Sequence, residues 1–93
     1  MQLRALTNGK VSGTGTIELE DCKAVKVLVS TNNSAAAAVI LRKNNSEGEK
    51  LFDISTITAG DYPSQPVLVD GTNTIYYDIS GTGASAQIYG YVI

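Results

Sequence analysis

Apolar and polar residues alternate in short bursts along this chain, and clusters of Asn, Gly, Asp and Ser separate the bursts. A period of two places every second side chain on one face of a pleated strand, so the pattern predicts half-buried β-strands. The first is expected over Gln2–Leu6, closing at the turn dipeptide Asn8-Gly9. The second covers Thr16–Glu20, with Ile17 and Leu19 inward. In the third, Ala24–Ser30, Val25, Val27 and Val29 share one face, while Lys26 and Leu28 share the other. β-branched residues at alternate positions suit a pleated, half-buried surface.

Ala35–Lys43 carries two signals. Its alanines favour a helix, with Ser34 as a cap and Arg42 and Lys43 near the C-terminal dipole. Against a helix, the run is short, has no polar stripe and lies between two hairpin-type loops, Thr31–Ser34 and Asn44–Gly48. A strand is therefore expected, with Ala37, Val39 and Leu41 on one side and Ala36, Ala38, Ile40 and Arg42 on the other. The alanines would then mark a close approach by another layer or another chain.

Further strands are expected at Lys50–Ser55, Val67–Val69, Asn73–Ser80 and Ser85–Val92. Gly60–Pro66 is expected to be a loop, since both of its prolines lack a ladder donor. A word written twice, Ser12-Gly13-Thr14-Gly15 and Ser80-Gly81-Thr82-Gly83, is expected to form turns, because such residues favour local bonds and backbone freedom. About eight short strands punctuated by turns predict an all-β fold, an antiparallel β-sandwich of jelly-roll type. The expected core is Ile17, Leu19, Val25, Val27, Val29, Val39, Leu41, Phe52, Ile54, Ile75, Tyr77, Ile79, Ile88 and Val92.

Size changes the picture. The 93 residues suit one domain, 1–93, with a thin margin of stability. Small domains find support in disulfides, metals or self-association. Cys22 is the only cysteine and there is no histidine, which rules out an intrachain bridge and leaves no His/Cys zinc ligand set. Self-association is the support that remains. The net charge of −2 gives no footprint for nucleic acid, and Lys23, Lys26, Arg42 and Lys43 read as solvated strand faces. The longest apolar run, Ala35–Leu41, is far shorter than the roughly 18 residues of a membrane span. Met1-Gln2-Leu3-Arg4 lacks the apolar segment of a secretory signal, so the chain is expected to be made in the cytoplasm.

Candidate chemistry is sparse. Without an imidazole there is no hydrolase triad of the usual kind, and Cys22 has no histidine base. Glu18 with Glu20, or Asp53 with Asp78, are formal carboxylate couples, but residues two apart on one strand merely repel. Asp61, Asp70, Asn73 and Asp78 offer oxygen to calcium without the spacing of a calcium loop, and turn formation accounts for them. The expectation is no catalytic residue, no metal site and no cofactor. Tyr76, Tyr89 and Tyr91 face away from Tyr77's side of their strands and suit sugar stacking, a protein interface or simple cross-strand pairing. With Leu28 and Ile40 also facing outward, a covering neighbour is expected. The candidate interface residues are Ala36, Ala38, Ile40, Tyr76, Tyr89 and Tyr91.

Leu51-Phe52-Asp53-Ile54, Ala59-Gly60-Asp61 and the run Gly71–Ala86, preceded by Ala38–Arg42 and a polar turn, resemble small β-sandwich virion proteins of tailed bacteriophages. The resemblance covers Ser34 to the C-terminus; the first third matches only as generic strands. It implies a non-enzymatic capsid decoration (cement) protein, a jelly roll that self-associates, a trimer being favoured, and binds the major capsid protein on the head surface. The alternative is a glycan- or receptor-binding module of a tail or fibre. Nucleic acid and membrane are not among the implied partners, and no catalytic residue carries over.

Overall fold

The computed structural model describes residues 2–19, 22–31, 37–55, 60–69 and 72–92. Among them there is no helix, and nine strands form two antiparallel sheets. These are β1 (Gln2–Ala5), β2 (Gly13–Glu18), β3 (Cys22–Thr31), β4 (Ala38–Lys43), β5 (Lys50–Ser55), β6 (Gly60–Pro63), β7 (Val67–Leu68), β8 (Thr74–Ser80) and β9 (Ala84–Val92). Sheet A has the order β1-β9-β3-β6, with β7 also on β3; sheet B has the order β2-β8-β4-β5.

The pairing has a simple logic. β4 and β5 form a hairpin whose tip is the loop 44–49. Moving away from that tip, β3 pairs with β6 and β7, β2 with β8, and β1 with β9. The chain is thus one long antiparallel ribbon rolled up on itself, and the contacts β3–β9 and β4–β8 close the roll. That is the jelly roll expected from the alternation, a double-sheet device that leaves few edges.

The core fills the space between the sheets. Val25, Val27 and Val29 from β3, Ala86 and Ile88 from β9, Val39 and Leu41 from β4, and Ile75 and Ile79 from β8 are all buried. The strand reading of the alanine-rich segment holds from Ala38 to Lys43, and Ala37 is buried beside it. Of the expected core, Phe52, Ile54 and Tyr77 are half-buried at its margin, and the side chain of Val92 lies outside the described residues. Ala24, Val69 and Ala84 are buried although they were not expected to be.

Two expectations need correction. Gly60–Pro63 is a strand, β6, and not a loop. It lies at the edge of sheet A, where one side of the strand has no ladder and a proline at its last position costs nothing. The first Ser-Gly-Thr-Gly word is not a turn either, since β2 begins at Gly13. Gly15 is the cross-strand partner of Tyr77, and a β-carbon at position 15 would stand 2.5 Å from the Tyr77 hydroxyl oxygen. The tyrosine covers the bare glycine backbone, a known way of keeping an edge glycine inside a sheet. The second copy is a turn: Gly81 (φ 112°) and Gly83 (φ 77°) take conformations that side chains disfavour, and they carry the chain from sheet B to sheet A.

Candidate interaction surface

Because side chains alternate, each sheet turns one face to the core and one outward, and the register defines the outward rows. On sheet A, Leu3 pairs with Tyr91, Tyr91 with Ala24, and Ala24 with Leu68. The next row is Ala5, Tyr89 and Lys26; then Gln87, Leu28 and Pro63; then Ser85, Ser30 and Asp61. A bulge at Lys23 sets this phase, since it lets both Cys22 and Ala24 pair with neighbouring residues of β9.

The first row is apolar from end to end. Leu3 and Leu68, the large hydrophobic residues most open to solvent at 51% and 73% exposure, stand at its two ends. Ala24 is sunk between its neighbours at 8%. Tyr89 and Tyr91 are half-buried, and the Tyr89 hydroxyl donates to Gln87 Oε1 at 2.9 Å. That bond satisfies the phenol within the chain and leaves the ring as apolar surface. Lys26 stands beside Tyr89 in the second row. At the far end of the face, Ser30 Oγ donates to Asp61 Oδ1 at 2.8 Å.

The outer face of sheet B differs in kind. One row runs Thr14, Asp78, Ile40, Asp53, and the next runs Thr16, Tyr76, Arg42. Ala38 sits between Ser80 and Ser55. Hydroxyls and charges surround Ile40 and Tyr76, the arrangement of a solvated face. Lys50 Nζ reaches Asp53 Oδ2 at 3.1 Å, and Arg42 Nη1 donates to the carbonyl of Gly48 at 3.0 Å.

The candidate interface residues therefore do not form one site. Tyr89 and Tyr91 lie on the outer face of sheet A, Ala38, Ile40 and Tyr76 on the outer face of sheet B, and Ala36 outside the described residues. The alternation within each strand identified the outward side correctly. It carries no information about which sheet a strand joins. Leu3 and Leu68 were missed, although the alternation of Leu68 with Val67 and Val69 points it away from the core.

The formal chemical candidates are dispersed. Asp53 and Asp78 share a row, but the aliphatic Ile40 stands between them and Lys50 engages Asp53. Glu20 lies outside the described residues, so its couple with Glu18 has no described geometry. Of the oxygen-rich positions, Asp61 is on sheet A, Asp78 on sheet B, and Asp70 is outside the described residues. Among the described residues no group of three or more His, Cys, Asp or Glu gathers where it could hold a metal ion. Cys22, half-buried at the start of β3, packs against Gly90 and receives Arg4 Nη2 at 3.6 Å. Among the described residues no helix is long and apolar enough to cross a membrane.

No protein-family model matches the chain, and no curated protein or solved structure matches it either.

Proposed function

We propose that this chain is a non-enzymatic structural protein of a virion, of the capsid-decoration type, which binds the assembled head and stabilises it. The observation that carries this reading is the uncovered outer face of sheet A, where Leu3, Tyr91, Ala24 and Leu68 form a continuous apolar row. Aromatic residues contiguous with exposed aliphatic neighbours form the kind of apolar patch that marks a protein interface. The two outer faces are also unlike, which suits a protein that must touch its own kind and a larger lattice.

The mechanism is linkage. A protein that binds the assembled shell and not its free subunits shifts the balance toward the shell by mass action. A closed oligomer multiplies modest contacts through avidity, so each footprint can be weak.

The test is binding to purified, emptied heads, with Tyr91→Asp altering sheet A and Ile40→Asp altering sheet B. Saturable binding lost in one of these variants supports the reading. A folded protein that ignores heads and joins tails overturns it. A second reading, a glycan-binding module of a tail or fibre, draws on Tyr89 and Tyr91 lying side by side with Gln87 and Lys26 in reach. Reproducible glycan-array hits lost in Tyr89→Ala would favour it.

A further inference from the structure

We propose that the outer face of sheet A is covered by a second copy of this chain, packed face to face about a two-fold axis. The axis runs parallel to the strands, between β9 and β3. The proposal rests on reading this face as a protein interface, and it names the partner.

The argument lies in the order of residues across the sheet. The first row reads Leu3, Tyr91, Ala24, Leu68 from β1 through β9 and β3 to β7. Turned over about an axis between its two middle strands, the row meets its own reverse. Leu3 then faces Leu68 of the second copy, and Tyr91 faces Ala24, the bulky ring entering the shallow place left by the small residue. The second row obeys the same operation: Tyr89 faces Lys26, so an aromatic face receives an ammonium group. The third and fourth rows set Gln87 against Leu28 and Ser85 against Ser30, so the matching of large with small and ring with cation is carried by the first two rows. An isologous interface requires this kind of self-complementarity.

Charge and area agree. The four outward rows carry one cation, Lys26, and one carboxylate, Asp61, so no block of like charge meets its own copy. At about 3.3 Å by 4.8 Å per residue, β1 (4 residues), β9 (9), β3 (10) and the short pair β6 (4) and β7 (2) present roughly 450 Å² per copy. About 900 Å² in total belongs to weak, transient interfaces, so dissociation in the range of tens to hundreds of micromolar is expected, on the order set by that size class. The pairing leaves the polar face of sheet B open to a larger partner. It also differs from the trimer that the resemblance implies, because the row matches itself under a two-fold operation.

Directed cross-linking tests the pairing. Within one chain Leu3 and Leu68 are three strand spacings apart, about 14 Å, too far for a disulfide. In a Cys22→Ser background, Leu3→Cys with Leu68→Cys should be joined into a covalent dimer by a short bismaleimide that spans the about 10 Å between packed sheets but not the distance within one chain, whereas Leu3→Cys with Asp53→Cys, on the opposite sheet, should not. Light scattering of the unmodified protein should show a concentration-dependent dimer, and Leu68→Asp should remain a monomer with an unchanged β-sheet circular dichroism spectrum. A protein that stays monomeric at several hundred micromolar, or cross-links that build trimers, would overturn the pairing. Head binding by the unmodified protein separates the two readings. A monomer that still binds heads defeats the pairing alone, and a dimer that ignores heads defeats the decoration role alone.

Discussion

Ser64 Oγ accepts the backbone N–H of Val27 at 2.9 Å, while the amide of Ser64 donates to the carbonyl of Val27 at 2.7 Å. The serine stands between β6 and β7, the two short strands that flank Ser64–Pro66 on the edge of sheet A. Its hydroxyl supplies the acceptor that a regular ladder would have taken from the main chain. It thereby keeps β3 satisfied across the break. Ser64→Ala should leave the Val27 N–H without a partner beneath a fully buried side chain, at a cost of about 1–3 kcal/mol. In a domain of this length that lowers the melting temperature by at least about 4 °C, and Ser64→Thr should restore most of the loss. Equal melting of the Ala and Thr variants would show that the hydroxyl is not the acceptor that matters.

That serine also marks where the sequence becomes opaque. Strands β3, β8 and β9 announce themselves because Val25-x-Val27-x-Val29, Ile75-x-Tyr77-x-Ile79 and Ala86-x-Ile88 repeat every second residue, and their inward faces are the ones observed. Gly60-Asp61-Tyr62-Pro63 has the composition of a turn. Its strand state comes from pairing with Leu28–Thr31, residues distant in the chain. The same limit hid the surface. A period of two sorts side chains into inward and outward but does not say that β1, β9, β3 and β7 lie side by side. Leu3 and Leu68 become one row only after the ribbon has rolled up.

Gly15 and Tyr77 give a second test. The ring lies over the glycine on the inner side of sheet B, and a β-carbon at position 15 meets Cζ at 2.7 Å and Cε2 at 2.9 Å. Gly15→Ala should displace the ring from the core margin and cost about 1–3 kcal/mol, read from chemical denaturation. With Tyr77→Leu already in place the same change should cost much less, because the colliding atoms are gone. Equal costs in the two backgrounds would place the penalty in the backbone and not in the ring.

The ion pairs on sheet B should contribute little. Lys50 and Asp53 are each about half exposed, at 48% and 45% of their side-chain surface. Such pairs are worth at most about 1 kcal/mol and are screened by salt. Lys50→Ala should therefore move the melting temperature only slightly, and raising the salt concentration should narrow its difference from the unmodified protein. A large loss that persists in high salt would mean that Lys50 packs the β5 edge through its aliphatic stem.

Gly90 and Cys22 offer the sharpest test, because their coupling has a sign. Gly90 is buried on the inner side of β9, and a β-carbon there would collide with Cys22 Sγ and press on Leu6 Cδ1 at 3.1 Å. Leu6 presents the tip of a flexible chain and can yield. The sulfur is held more firmly, in register opposite Val92 and beside the Arg4 guanidinium. Gly90→Ala alone should cost about 1–3 kcal/mol through overpacking. Cys22→Ala alone removes one half-buried sulfur and should cost less. Together they should cost less than the sum of the two, with a relief of about 1 kcal/mol or more, since the new methyl group occupies the space the thiol vacates. Denaturation midpoints of the four proteins in this cycle measure that relief. Strict additivity would show that the backbone of β9, and not the sulfur, sets the penalty at position 90.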